Sequence, residues 1–181
     1  MSANMKNVRT VTLAAALIAL TIVADGALRI VVWMGLEVRF GFLFLAVIAY
    51  LFGPVAAFAS GVITGMLAFL LFPTGFPFDP RFDLNSGLAG IIYAVFLYKR
   101  NVKSEYFIIW ILSAKVAVNL ICNIIINTYL LRGYMGSAAE VLTIARLFKN
   151  IVLLPVEIVL MFVIIKFVAD YARRYKFLNG V

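Results

Sequence analysis

The sequence predicts an all-α integral membrane protein: one membrane-embedded unit over residues 1–181, with six transmembrane helices and both termini in the cytoplasm. Three observations carry this expectation. Hydrophobic residues make up 65% of the chain and charged residues 13%, with a mean hydropathy of +1.09, far above a soluble domain of this size. The apolar residues gather in runs suited to crossing lipid, separated by Gly, Pro and charge-bearing loops. The charges in those loops are asymmetric: Lys6, Arg9, Lys99, Arg100, Lys103, Lys166, Arg173, Arg174 and Lys176 fall on one side, and Arg29, Arg39, Arg81 and Arg132 on the other. The positive-inside rule places the first group in the cytoplasm.

Other classes are disfavoured by what is missing. Sixteen Lys and Arg against eight Asp and Glu give a net charge of +8, but no basic stretch interleaved with aromatics points to nucleic acid. There is no histidine and only one cysteine, which argues against zinc sites, histidine-based triads and a disulfide framework. Cys122, in an apolar run, reads as a small buried side chain. A membrane enzyme would need a nucleophile and base or paired carboxylates, yet only Glu157 lies well inside a span. No Walker-type phosphate loop is present, so any ATP dependence belongs to partners, and no cofactor is expected.

The first span runs from Val11 to Ala24, with apolar character continuing to Val32 and no convincing small-x-small cleavage site before Arg29, so it is read as a helix and not a signal peptide. Ala15 and Ala19 form a small-xxx-small pair that lets another helix approach. Asp25 to Arg39 mixes charges with Ile30, Val31, Val32 and Trp33 and suits an interfacial loop or short amphipathic helix. Phe40 to Phe52 is a short second span, Gly53-Pro54 a tight turn, and Val55 to Phe72 a third span carrying the Gly61/Gly65 pair. Pro73 to Asp83, PTGFPFDPRFD, reads as a loop without regular helix, anchored by Phe76, Phe78 and Phe82 and able to cap a pocket. Leu84 to Tyr98 is the fourth span.

Tyr106 to Leu131, the fifth span, carries Lys115, Asn119, Asn123 and Asn127 every four residues. In an α-helix that spacing drifts by only ~40° per step, so the four make one winding polar stripe suited to a lined cavity. After the RGYMGSAAE loop, the sixth span starts near Val141 and holds Arg146, Lys149, Asn150, Pro155 and Glu157. Arg146 and Lys149 are a turn apart, Asn150 lies beside Lys149, and Glu157 returns to the azimuth of Arg146. Ionisable groups in a span usually face a protein interior or a water-filled cavity. Two readings of this face stand: a binding site, or cations snorkelling to the interface with Glu157 as a structural partner.

The run from Gly53 to Lys99, with NTYLLRGY, ARLFKNIVLLPVE, the Ala15/Ala19 pair and FGFLFLA from Phe40, resembles the folate-family substrate-binding S components of energy-coupling factor vitamin transporters. The likeness covers nearly the whole chain. It implies a multi-pass subunit of a prokaryotic cell membrane that captures a vitamin outside and docks on a transmembrane coupling subunit driven by two ATPases. Carried over by position, Ala15 and Ala19 match the docking pair, Phe76, Phe78, Pro80 and Phe82 the pocket lid, and Arg146 and Lys149 the basic residues of the last helix. The expected ligand site comprises Phe76, Phe78, Arg81, Phe82, Asn119, Asn123, Arg146, Lys149 and Asn150. Folate binders read close to F-x-P-G-F-T-L-S in the lid, whereas this chain reads FDPRFDLN, with Arg81, Asp83 and Asn85 as departures. The cations suit an anionic ligand, which ranks folate first and pantothenate second, ahead of pyrimidine- or pyridoxine-like vitamins. A stand-alone secondary transporter of a small anionic metabolite, coupled through Lys115 and Glu157, is the alternative.

Overall fold

The computed structural model describes residues 8–33, 36–73 and 77–174. Lys6, Lys176, Gly75 and Phe76 lie outside these residues. The described elements are α1 (Val8–Gly26), β1 (Ile30–Trp33), β2 (Leu36–Val38), α2 (Phe42–Phe52), α3 (Pro54–Leu71), α4 (Pro80–Leu97), α5 (Phe107–Val118), a π-wound segment (Asn119–Ile126), α6 (Asn127–Met135) and α7 (Ala138–Arg174). Residues Phe107–Met135 form one continuous helix, so the described chain has six helices and one hairpin.

The bundle is organised around its shortest helix. Nine of the eleven residues of α2 are buried, and α1, α3, α4 and α7 all pack on it. At 1.5 Å per residue, α2 spans ~16 Å, about half the hydrocarbon core of a bilayer. It is apolar all round because it faces protein on every side. Helices in lipid gain little from excluding water, so tight van der Waals packing, such as the edge-on contact of Tyr50 with Phe107 at 6.3 Å, holds this centre together. Three helical stretches are long and apolar enough to cross a membrane by themselves: Pro54–Leu71, Phe107–Met135 and Ala138–Tyr171.

Gly53 joins α2 to α3 with φ +85 and ψ −174, a conformation open to glycine alone, and Pro54 follows at the start of α3, where its missing N–H costs nothing. The seam between α3 and α4 is built from small residues. A Cβ at Gly61 would lie 2.5 Å from the carbonyl oxygen of Ser86, and one at Gly90 2.5 Å from that of Ala57, so the two backbones touch as the Gly61/Gly65 pair leads one to expect.

Four sequence expectations need correction. Asp25 to Arg39 is neither an interfacial helix nor a plain loop: α1 runs on to Gly26, and the β-branched residues then pair in an antiparallel hairpin, Ile30 with Val38 and Val31 with Glu37. The aromatic loop ends earlier than Asp83, because Asp79 caps α4 by accepting from the Arg81 amide at 3.0 Å and Pro80 occupies its first turn. The expected loop Arg132 to Glu140 shrinks to Gly136 and Ser137, with Gly136 ending α6 at φ +57. The fifth helix is not α throughout. Its π segment takes more residues per turn, so a four-residue step falls short of a full turn where an α step overshoots, and the two windings offset each other along the asparagine stripe.

Candidate functional site

A cavity of about 390 Å³ opens where the hairpin, the residues before α4 and the ends of α3, α6 and α7 meet. Its floor is polar but paired. Lys115 lies 3.3 Å from Glu157 and 3.4 Å from the centroid of the Phe42 ring, so a buried cation is held by a carboxylate and an aromatic face together. Asp25, from the last turn of α1, accepts from the Gly41 amide at 2.8 Å. A Cβ at position 41 would lie 2.3 Å from that carboxylate, so the approach requires glycine.

One wall is the inner face of α7. Arg146, Lys149, Asn150 and Glu157 all line the cavity, and Arg146 is only 8% exposed, which removes the snorkelling reading for it. Lys149 donates to the backbone oxygen of Glu37 at 2.8 Å, tying α7 to the hairpin. The Glu37 side chain meanwhile holds Arg39 at 2.8 Å and Arg29 at 3.7 Å. The facing wall is α4, from Phe82 through Asp83, Asn85 and Ser86 to Tyr93. Between them stands the π segment, where Asn123 donates to Asn119 at 2.9 Å. Asn85 reaches across to donate to the Cys122 carbonyl at 3.1 Å, an oxygen that also accepts the wide i→i+5 bond from the Asn127 amide. This side-chain tether inside the backbone ladder marks where the helix is wound wide.

The mouth is aromatic. Phe78 packs on Phe69 at 5.2 Å and Phe82 faces Tyr134 at 6.5 Å. Asp79 latches it: Tyr134 donates to Asp79 Oδ2 at 2.9 Å, and Arg81 binds the same carboxylate at 2.8 Å. Hydrogen bonds from Arg81 above all, with that from Tyr134, hold the Asp79 carboxyl at about 2, well under its ordinary 3.8.

Of the residues expected from sequence, Phe78, Phe82, Asn123, Arg146, Lys149 and Asn150 line this one cavity. Asn119 is behind the wall as the partner that orients Asn123. Arg81 is not on the wall: its side chain is 58% exposed and bound to Asp79, so it is not the added cation the sequence suggested. Phe76 lies outside the described residues. The sequence reading missed Asp25, Phe42, Asp79, Tyr93 and Tyr134 and named Asp83 and Asn85 only as departures from the lid pattern, though all seven line the cavity. Only Asp79 carried an overlooked local signal, as a capping residue directly before proline.

The family model for the S component of ECF-type riboflavin transporters matches residues 5–170. The folate transporter FolT of Clostridium novyi (strain NT) is 30% identical over 127 residues, which is 70% of this chain and 71% of that protein. Among solved structures, FolT bound with folic acid superposes with a TM-score of 0.74 at 25% identity, covering 96% of both chains. The family match across the described bundle and the FolT likeness agree on one conclusion: the chain is not an enzyme but belongs to the S components of ECF-type transporters, in their folate family.

Proposed function

We propose that this chain captures folate at the outer face of the cell membrane and presents it to a coupling subunit and two ATPases for uptake. The observation that carries the reading is the cavity itself: a cationic wall, Arg146 and Lys149, in a chamber with an aromatic mouth. Its size, about 390 Å³, lies in the usual range for small-molecule sites. Folate joins a flat heteroaromatic ring system to a glutamate tail with two carboxylates, so it answers both features. Pantothenate, ranked second, is anionic but has no ring for the aromatic residues. Riboflavin has a ring system but no carboxylate for Arg146 and Lys149. The likeness to FolT, solved with folic acid, supports the same order.

In this reading Phe78, Phe82, Asn123, Arg146, Lys149 and Asn150 contact the vitamin, with Phe76 completing the lid. The termini are cytoplasmic and the cavity opens outward across six spans. Docking uses the outer face of α1, where Ala15 and Ala19 are exposed while Ala14, Leu17 and Thr21 pack inward. Calorimetry of the purified chain with folic acid, pantothenate and riboflavin tests the ligand, and tightest binding of either other vitamin refutes the order. Ala15→Trp with Ala19→Trp is expected to leave folic acid binding intact while abolishing assembly with the coupling subunit and ATP-driven uptake. One observation favours the second reading, a secondary transporter acting alone: the buried Lys115–Glu157 pair, a common element of ion-coupled transport. Uptake into vesicles that contain only this chain would establish it.

A further inference from the structure

Asp83 occupies the first turn of α4, is 6% exposed and lies on the cavity wall. Its Oδ1 fits over Gly65, where a Cβ would come within 2.5 Å. Its Oδ2 receives no hydrogen bond among the described residues. Two positions on, the Asn85 amide is oriented by its bond to the Cys122 carbonyl. A carbonyl can only accept, so Nδ2 must face it and Oδ1 becomes the free end of the amide. That oxygen also receives no hydrogen bond among the described residues.

The obvious cations are engaged elsewhere: Arg81 holds Asp79, Lys115 holds Glu157, and Lys149 holds the Glu37 carbonyl. A buried carboxylate without donors is costly, and a site with two such acceptors on one wall is complete only when something donates to them. The α7 wall offers the opposite chemistry, with Arg146 and Lys149 as donors.

We infer that Asp83 and Asn85 form a donor-reading subsite for the edge of a flat nitrogen heterocycle with adjacent N–H groups, such as a 2-amino-4-oxopyrimidine face, while Arg146 and Lys149 hold the anionic end of the same molecule. This rests on the reading of the cavity as a folate site and deepens it by giving each wall one half of the ligand. The exocyclic amine and the neighbouring ring N–H point the same way, and a carboxylate accepts both as a bidentate pair. A ring edge with one N–H between two carbonyls, as in riboflavin, would set an oxygen against Asp83. A site built to pair polar groups rejects such a ligand strongly, because its own groups are then left unpaired.

The test is calorimetry with folic acid and with 2-desaminofolic acid, which keeps the tail and lacks the exocyclic amine. Asp83→Asn should weaken folic acid by roughly 10- to 100-fold, the span of a charge-assisted hydrogen bond. The wild type should bind 2-desaminofolic acid with a comparable loss, and Asp83→Asn should change that weaker binding by clearly less than it changes folic acid binding, since one of the two N–H donors to the carboxylate is already gone. Arg146→Ala should weaken both compounds alike. Folic acid binding to Asp83→Asn within about twofold of wild type overturns the inference, and so does an equal loss for the two compounds, which would make Asp83 merely structural. If Asp83→Asn does not fold, Asp83→Thr replaces it with the same expectations. Should the wild type bind no folic acid, the folate reading falls, and thermal stabilisation by 2,4-diaminopyrimidine decides the subsite. Stabilisation lost in the Asp83 variant supports it, and no stabilisation of the wild type overturns it.

Discussion

The α3–α4 seam and the α7 wall bound the same cavity by opposite means. At the seam, Gly61 and Gly90 bring two backbones into contact with no side chain between them. Along α7, Arg146, Lys149, Asn150 and Glu157 put long or polar side chains where the seam has none, and the space they keep open is the cavity. The seam gains its strength from close contact, which tolerates no added volume. The α7 wall depends on partners for its polar groups, so it tolerates changes of size better than the loss of a partner.

Breaking a partnership on the α7 side should have the largest effect. Lys115→Met leaves the half-buried Glu157 beside an apolar chain, and loss of one member of such a pair costs up to about 3–5 kcal/mol, the range for a fully buried one. Thermal unfolding in detergent should fall accordingly, and adding Glu157→Leu should restore most of the loss, because two apolar groups replace a pair whose desolvation is itself expensive. A double variant as unstable as the single one would mean that Lys115 matters through its contact with the Phe42 ring. Breaking the seam comes next. Gly61→Leu must push the Ser86 carbonyl away, at roughly 3 kcal/mol or the upper end of overpacking. The same measurement reads it, and a stability equal to wild type would show that the seam yields.

How much of this was legible in the sequence follows from where each feature is encoded. The glycine seam and the Arg146–Glu157 face are written inside single helices, as spacings of three, four and eleven residues, and both are found in the structure. The hairpin pairs locally, but its seating on α7, the π segment and the Asp83 wall depend on partners distant in the chain. Lys149 meets the Glu37 carbonyl across 112 residues, and Asn85 meets Cys122 across 37. No local periodicity predicts such contacts. Arg81 failed as a site residue for a related reason: its charge was visible, but its neutralisation by Asp79 arises only once Asp79 caps α4.

Ligand binding sharpens the comparison at an intermediate magnitude. Arg146→Ala or Lys149→Ala should weaken folic acid by roughly 1.5–3 kcal/mol, the range for hydrogen bonds to charged groups, a larger loss than the accompanying fall in stability. Lys149 is expected at the lower end, because its ammonium is shared with the hairpin carbonyl. If both variants lose stability and affinity together, the α7 wall is structural in the way the seam is.

The smallest effect is expected at the mouth, where neither close packing nor burial dominates. Tyr134 joins α6 to the start of α4 through its hydrogen bond to Asp79, and the removal of that bond in Tyr134→Phe should cost about 1 kcal/mol. Because this bond closes the mouth and contributes nothing to the walls, the loss should appear as faster ligand exit, up to about fivefold, at an almost unchanged association rate. The pH dependence follows from the depressed carboxyl. Asp79 titrates near 2 in the folded chain against an ordinary 3.8, so its contribution is complete above pH ~4 and is lost as the pH falls through ~2. Exit from the wild type should therefore be independent of this latch between pH 8 and pH 4 and accelerate only below that window. In Tyr134→Phe the Arg81 bond still holds Asp79 down, so the acceleration should begin at slightly higher pH. Stopped-flow release of folic acid at several pH values measures both, and an exit rate that already rises between pH 7 and pH 5 would assign control of the mouth to a group other than Asp79.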